Sequence, residues 1–257
     1  MRFALRLLGS VEVDSSSAVR GVKPRALLAT LALQPNRTVS LDLLAEALWE
    51  PSEVPRSAVA NVRTYANTLR GALGRAGVEL INQAGGYVLR VAAQRCDHLM
   101  FGELADAGRA ALADGHAEQA VASLHAALDL WRGTDAAGGV PRLGPLHGWL
   151  GCLDQERLRA SENLAEALLA AGDARCAVRE LRRLLAVAPL RTRAWWLRMS
   201  AHHRLGEHDA VSTTFREATR VFHDELGLDP DPALRELYRT LLSWPPGGVD
   251  LPAPALS

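Results

Sequence analysis

Apolar and polar positions fall into two regimes along the chain. Short runs and amphipathic stretches alternate up to residue 94, and an almost unbroken helical period follows. Phe3–Leu8 and Val11–Val13 read as strands around a Gly-Ser turn, with a third short strand near Val19–Val22. In "KPRALLATLALQPN", Pro24 suits the first turn of a helix, Leu27, Leu28, Leu31 and Leu33 supply its buried side, and Pro35-Asn36 stops it. In "TVSLDLLAEALWE", Ser40 is a natural N-cap and Leu41, Leu44, Leu48 and Trp49 make the core face. Pro51 ends that helix and "EPSEVP" reads as a loop. A third helix covers Ser57–Leu73, with an apolar stripe at Val59, Val62, Ala66, Leu69 and Leu73. Val78–Ile81 and Tyr87–Val91 are strand-like, and "NQAGG" between them turns the chain, with Gly85 and Gly86 free to take positive φ.

Strands, three helices and a closing hairpin are the order of a winged helix-turn-helix, with the hairpin as wing and the third helix as the recognition candidate. On that helix Arg56, Arg63 and Arg70 recur in steps of seven, roughly 85° around from the apolar stripe. Ala60, Thr64 and Asn67 lie further out, facing away from the core. Taken alone, such a row is more often a solvated flank than a nucleic-acid contact. Its place before a wing is what changes that weighting.

From Asp97 onward the chain reads helical. "GHAEQAVASLHAALDLW", "GDARCAVRELRRLLAVAP" and "GEHDAVSTTFREATRVF" repeat one phrase, with Gly172 and Gly206 34 residues apart. That is the length of a tetratricopeptide repeat, and helix pairs of this kind bury their apolar faces by stacking. Gly115 to Gly172 is longer and contains the Gly- and Pro-rich "WRGTDAAGGVPRLGPLHGW", which reads as a loop. A last helix covers residues 228–243, and "PPGGVDLPAPALS" reads as a disordered tail. The fold class expected is mainly α. Residues 1–94 form an α+β winged helix-turn-helix domain, 95–243 an all-α tetratricopeptide-like domain and 244–257 a tail.

Composition changes this picture in one respect. Over 257 residues the basic and acidic counts balance at 29 each, which argues against a nucleic-acid binder. Residues 1–94, however, hold 11 basic and 7 acidic residues, so +4, and the remainder 18 and 22, so −4. A basic half joined to an acidic half points to two domains with different partners. Of the basic residues 28 are Arg and one is Lys23, a bias of GC-rich genomes such as those of actinomycetes. Cys96, Cys152 and Cys176 show neither zinc spacing nor a disulfide framework and fit a reducing cytosol. With no signal peptide pattern and no long apolar run, a soluble cytoplasmic protein associated with the nucleoid is expected, not a membrane protein. Phosphate-binding, nucleophile-elbow and metalloprotease motifs are missing, so no enzyme, no cofactor and no metal are expected. His202, His203 and His208 read as surface histidines. Trp195 and Trp196 read as one core and one interface residue, and Trp131 and Trp149 as packing for the loop.

The segments "FALRLLGSVEV", "KPRALLATLALQPNRTVSLDLLAEALW", "NVRTYANTLRGAL", "AGGYVLRV", "AALDLWRG" and "FREATRVFHDELGLDPDPALRELY" together resemble the Streptomyces antibiotic regulatory proteins over about residues 1–243. These transcriptional activators of secondary-metabolite gene clusters join an OmpR-type winged helix to a bacterial transcriptional activation domain. The resemblance implies that the third helix enters the major groove of double-stranded DNA, with Arg63, Thr64, Asn67 and Thr68 facing base edges. Arg and Asn read guanine and adenine edges, and a Thr methyl packs on thymine. It implies phosphate contacts from Arg56 and Arg70 at the flanks. Lys23 and Arg25 are expected to hold phosphate together with the first helix's N-terminus, and Arg90 is a further candidate to reach phosphate, beside the structural role expected of Gly85, Gly86 and Tyr87. It also implies a homodimer on tandem direct repeats and contact with the σ or α subunit of RNA polymerase. Relatives usually carry Arg at the position of Thr68, Arg or Lys at Gly71 and Arg in the wing, so weaker binding with a shallower salt dependence is expected. Two alternatives remain open: an interaction scaffold with lost DNA binding, and a ligand-gated regulator.

Overall fold

The computed structural model describes residues 3–14 and 19–243, so the expected tail lies outside the described residues. The chain divides into two compact units. One combines Met1–Leu104 with Ala127–Arg157, the other Ala105–Ala126 with Leu158–Ser257. The "WRGTDAAGG" segment, assigned from sequence to the second domain, therefore folds with the first.

In the first unit, β1 (Leu5–Arg6) and β2 (Glu12–Val13) form a short antiparallel pair. The ladder is shorter than Phe3–Leu8 for a physical reason. The backbone N–H groups of Leu7 and Leu8 donate to the Asp97 carboxylate at 2.7 and 3.1 Å. The carbonyls of Leu8 and Leu7 accept from Arg132 N and Ala137 N. These groups are satisfied from outside the ladder, as buried backbone must be. Phe101 meets Trp131 edge-on, with ring centroids 5.5 Å apart, and the Arg157 guanidinium lies over the Trp131 ring.

No third strand forms at Val19–Val22. Gly21 takes a φ of 90° and α1 (Val22–Ala32) begins at once, with Pro24 in its first turn. α1, α2 (Leu41–Leu48) and α3 (Ala58–Arg75) enclose the core, where Leu27, Leu28, Leu44, Val62 and Leu73 are fully buried. Ser40 caps α2 through its Oγ, which accepts from Leu43 N at 3.2 Å. A strand absent from the sequence reading, β3 (Thr38–Ser40), pairs antiparallel with β5 (Gly86–Arg90), which pairs with β4 (Glu79–Gln83). Three residues are too few to show a period of two. Asn36, at a φ of 62°, fastens the start of this strand, since its side chain donates to Val91 O and accepts from Val91 N. At the hairpin tip only Gly85 has positive φ. Gly86 is needed for another reason: a Cβ there would stand 2.1 Å from Val39 O.

The division between units falls within α4 (Asp97–Ala113), α5 (Ala117–Leu128) and α6 (Pro145–Ala170). The second unit continues with α7 (Ala174–Val187), α8 (Thr192–Arg204), α9 (His208–Leu226) and α10 (Pro232–Ser243). Gly115, Gly172 and Gly206 each close a helix-to-helix turn with φ between 73° and 83°. Asp173 caps α7 by accepting from Cys176 N. The carboxylate of Glu162 in α6 takes a two-pronged grip from Arg191 at 2.8 and 2.7 Å. Two expectations change here. His202 and His203 are buried rather than surface residues, with His202 Nδ1 2.7 Å from Glu207 Oε2. Trp195 and Trp196 are both core residues, and the Trp195 indole donates to Pro189 O.

Candidate nucleic-acid interface

α3 presents two unlike faces. The buried face runs Ala58, Val62, Ala66, Leu69 and Leu73. Val59 does not belong to it. It is 40% exposed, one residue and so about 100° away from Ala58, which takes its place in the stripe. The opposite face carries Ala60, Arg63, Thr64, Asn67, Thr68 and Gly71, all exposed. The hydroxyls of Thr64 and Thr68 each donate to the carbonyl four residues back at 3.0 Å. That satisfies the hydroxyls within the helix and leaves the methyl groups as the free part of each side chain.

The cations assigned from sequence separate into engaged and unengaged groups. Arg63 is exposed and makes no hydrogen bond or ion pair among the described residues. It borders a cleft with Leu41 and the hairpin tip, Asn82–Tyr87. Arg56 is exposed in the turn before α3, so it does not sit on the helical line with Arg63 and Arg70. Arg70 is held within the fold. It donates from Nη1 to Asn67 Oδ1 and from Nε to Leu80 O at 3.3 Å, and its guanidinium lies 5.8 Å from the Tyr87 ring centre. Lys23 is likewise engaged, its Nζ donating to Leu48 O at the end of α2 and lying 5.4 Å from the Trp49 ring centre. Arg25 donates to Gly21 O at 3.3 Å. Arg90 ends β5 opposite Glu79, four residues from Gly86 at the tip, about 13 Å along the strand.

The structure therefore gathers Arg63, Thr64, Asn67 and Thr68 on the exposed face of α3, with Arg63 bordering the hairpin tip and Arg56 at the helix entry. It places Lys23 and Arg90 elsewhere. Sequence reasoning missed the polar brace of the tip, in which Thr38 Oγ1 donates to Gln83 Oε1 at 2.6 Å. It also missed the seating of the α2 N-terminus on the tip, where Leu41 N donates to Gly85 O at 3.0 Å. No local pattern links residues so far apart.

Cys96 and Cys176 are not tuned as nucleophiles. Burial pushes Cys96 up to about 12, and the Asp173 side chain raises Cys176. Among the described residues no cluster of three or more His, Cys, Asp and Glu is arranged to hold a metal. No helix among them is long and apolar enough to cross a membrane.

The family profile described as the bacterial transcriptional activator domain matches residues 96–242. The Transcriptional regulatory protein MoaR1 of Mycobacterium tuberculosis is 33% identical over 231 residues, spanning 86% of this chain and 72% of that protein. Transcriptional regulator RedD of Streptomyces coelicolor is 32% identical over 254 residues, spanning 94% of this chain and 71% of that protein. The chain belongs to the Streptomyces antibiotic regulatory protein family. A solved structure, Mycobacterium tuberculosis EmbR in complex with a low-affinity phosphopeptide, superposes with a TM-score of 0.87 at 31% identity. It covers 95% of this chain, which in turn spans 66% of that one, just under two thirds. The matched members of the family are transcriptional regulators, not enzymes. Membership makes this chain a transcriptional regulator of the activator type.

Proposed function

We propose that residues 1–94 act as an OmpR-type winged helix-turn-helix that places α3 in the major groove. The chain activates transcription of a secondary-metabolite gene cluster. The observation that carries this reading is the exposed outer face of α3: an unpaired Arg63 bordering the hairpin tip, two Thr methyl groups, and Asn67 whose Oδ1 accepts from Arg70. Arg63 suits a bidentate guanine contact and the Thr methyl groups suit thymine packing. Arg56 serves a phosphate at the helix entry. The tetratricopeptide-like second unit supports a dimer on direct repeats and contacts RNA polymerase through its σ or α subunit.

Because Lys23, Arg25 and Arg70 already donate within the fold, Arg56 and Arg63 remain as the unengaged cations of α3 and its entry. The slope of log affinity against log salt is then about −2 per copy. Such a modest electrostatic contribution favours cooperative binding. It also keeps a second reading in view, that of a co-regulator with little DNA affinity of its own.

Fluorescence anisotropy on DNA from the neighbouring gene cluster, against scrambled DNA over a salt series, tests the proposal. Arg56→Ala is expected to weaken all sequences alike. Arg63→Ala is expected to cost about 1–3 kcal/mol and to relax sequence preference. Equal binding of promoter and scrambled DNA at physiological salt would rule out a recognition role for α3.

A further inference from the structure

The second unit carries a groove that DNA recognition does not use. Two adjoining hollows, of about 610 and about 590 Å³, share Arg109, Asn163 and Arg193 and so form one continuous trough. Its walls come from α4, α6 and α8, the first helix of each successive helix pair. The lining residues on each helix recur at steps of three and four, as in Arg159, Glu162, Asn163 and Glu166. One stripe of each helix therefore faces the trough.

The charge in the trough runs against its surroundings. Residues 95–257 carry a net −4, yet Arg109, Arg159, Arg191, Arg193 and Arg204 converge here against only Glu162 and Glu166, a local +3. The acids are committed, Glu162 to Arg191 and Glu166 to Arg193. Arg159 is exposed and has no partner among the described residues. Arg109 makes only an exposed pair with Asp106 one helical turn earlier, with the two side chains 63% and 70% accessible. Pairs of that kind contribute little and are readily exchanged. Asn163 adds a directed donor. Its Oδ1 accepts from Arg193 Nη1 at 2.8 Å, and a guanidinium can only donate. The oxygen end is thereby fixed, and the Nδ2 amide is left for a ligand carbonyl or carboxylate. Trp196 and Leu197 give the floor an apolar strip.

We infer that this trough binds an extended acidic peptide from a partner protein, its carboxylates paired with Arg109 and Arg159 and its backbone read by Asn163. Three helices at usual packing distances span about 20 Å, the length of about six extended residues. The inference rests on the reading of the second unit as the protein-contacting part of a transcriptional regulator. It does not depend on DNA binding by α3.

The test uses the full chain and a fluorescein-labelled peptide of about eight residues alternating Glu and Leu. A Lys/Leu peptide and a single-stranded oligonucleotide of matching length serve as competitors. Promoter affinity is measured on the same preparations. The acidic peptide is expected to bind in a salt-sensitive way, with neither competitor displacing it. Arg109→Glu and Arg159→Glu each weaken it about tenfold. Arg182→Glu, an exposed charge reversal on α7 outside the trough, changes it less than about twofold. Melting curves of the three variants should coincide with wild type, because all three side chains are exposed. If Arg182→Glu is as damaging as Arg159→Glu, only bulk charge is at work and the inference fails. It fails equally if the oligonucleotide displaces the peptide, since the trough is then a polyanion site. Peptide binding lost with promoter binding intact sinks the trough alone, and the reverse pattern sinks the DNA reading alone.

Discussion

Among the described residues each unit buries one carboxylate, and the two are held in opposite ways. Asp97 in the first unit and Glu162 in the second both have side chains 2% accessible. Asp97 is held by backbone: Leu7 N, Leu8 N and His98 N all donate to it, with Arg132 Nη2 at 3.7 Å. Glu162 is held by a side chain, the fork of Arg191 just before α8. A backbone-held acid fixes the path of a chain that has no ladder to follow. A fork-held acid clamps helices that are already formed. The first unit needs the former because its N-terminal strands are only two residues each.

The largest effect follows from removing the backbone-held acid. Asp97→Ala leaves the Leu7 and Leu8 donors buried and unmet, and about 4 kcal/mol of stability should be lost in urea unfolding. Glu162→Gln keeps volume and one acceptor, and Arg191 remains partly solvated. About 2 kcal/mol is expected, well below the cost of stripping a fully buried pair. Should Glu162→Gln prove the more damaging, the comparison would be reversed.

The neighbour of Asp97 makes the first unit sensitive to acid. Desolvation lowers His98 to about 4, with the Ala32 carbonyl opposing, whereas an unfolded His titrates near 6.5. Between these values the folded state binds fewer protons than the unfolded one, so stability falls as pH drops through that window. Burial raises Asp97, which works the other way and offsets part of this. On going from about pH 7 to about pH 4.5, wild type should lose about 2 kcal/mol more than His98→Leu. A parallel pair of profiles would show that His98 is not the group responsible. The smallest effect belongs to α3: Arg63→Ala should leave unfolding within about 0.5 kcal/mol of wild type, as an unpaired surface residue does.

The sequence made some of this legible and hid the rest along physical lines. Helix α3, the Ser40 cap and the hairpin are local, and a period or a capping residue announces each. The exposure of Arg63, Thr64, Asn67 and Thr68 follows from the same period. The engagement of Lys23 and Arg70 does not, because their partners are the carbonyls of Leu48 and Leu80, which every sequence possesses. Asp97 reaches back 90 residues to Leu7, and β3 is recognisable only once β5 lies beside it. Val59 shows the limit of a stripe read by eye, where a shift of one residue exchanges a core position for a solvent one.

The first unit is assembled from two stretches of chain, Met1–Leu104 and Ala127–Arg157. During synthesis its N-terminal part therefore emerges from the ribosome without the residues that satisfy the carbonyls of Leu7 and Leu8. It must wait for Arg132 and Ala137, and by then Ala105–Ala126 has already been made. A gene fusion or truncation cut after the hairpin would transplant α3 without this closure.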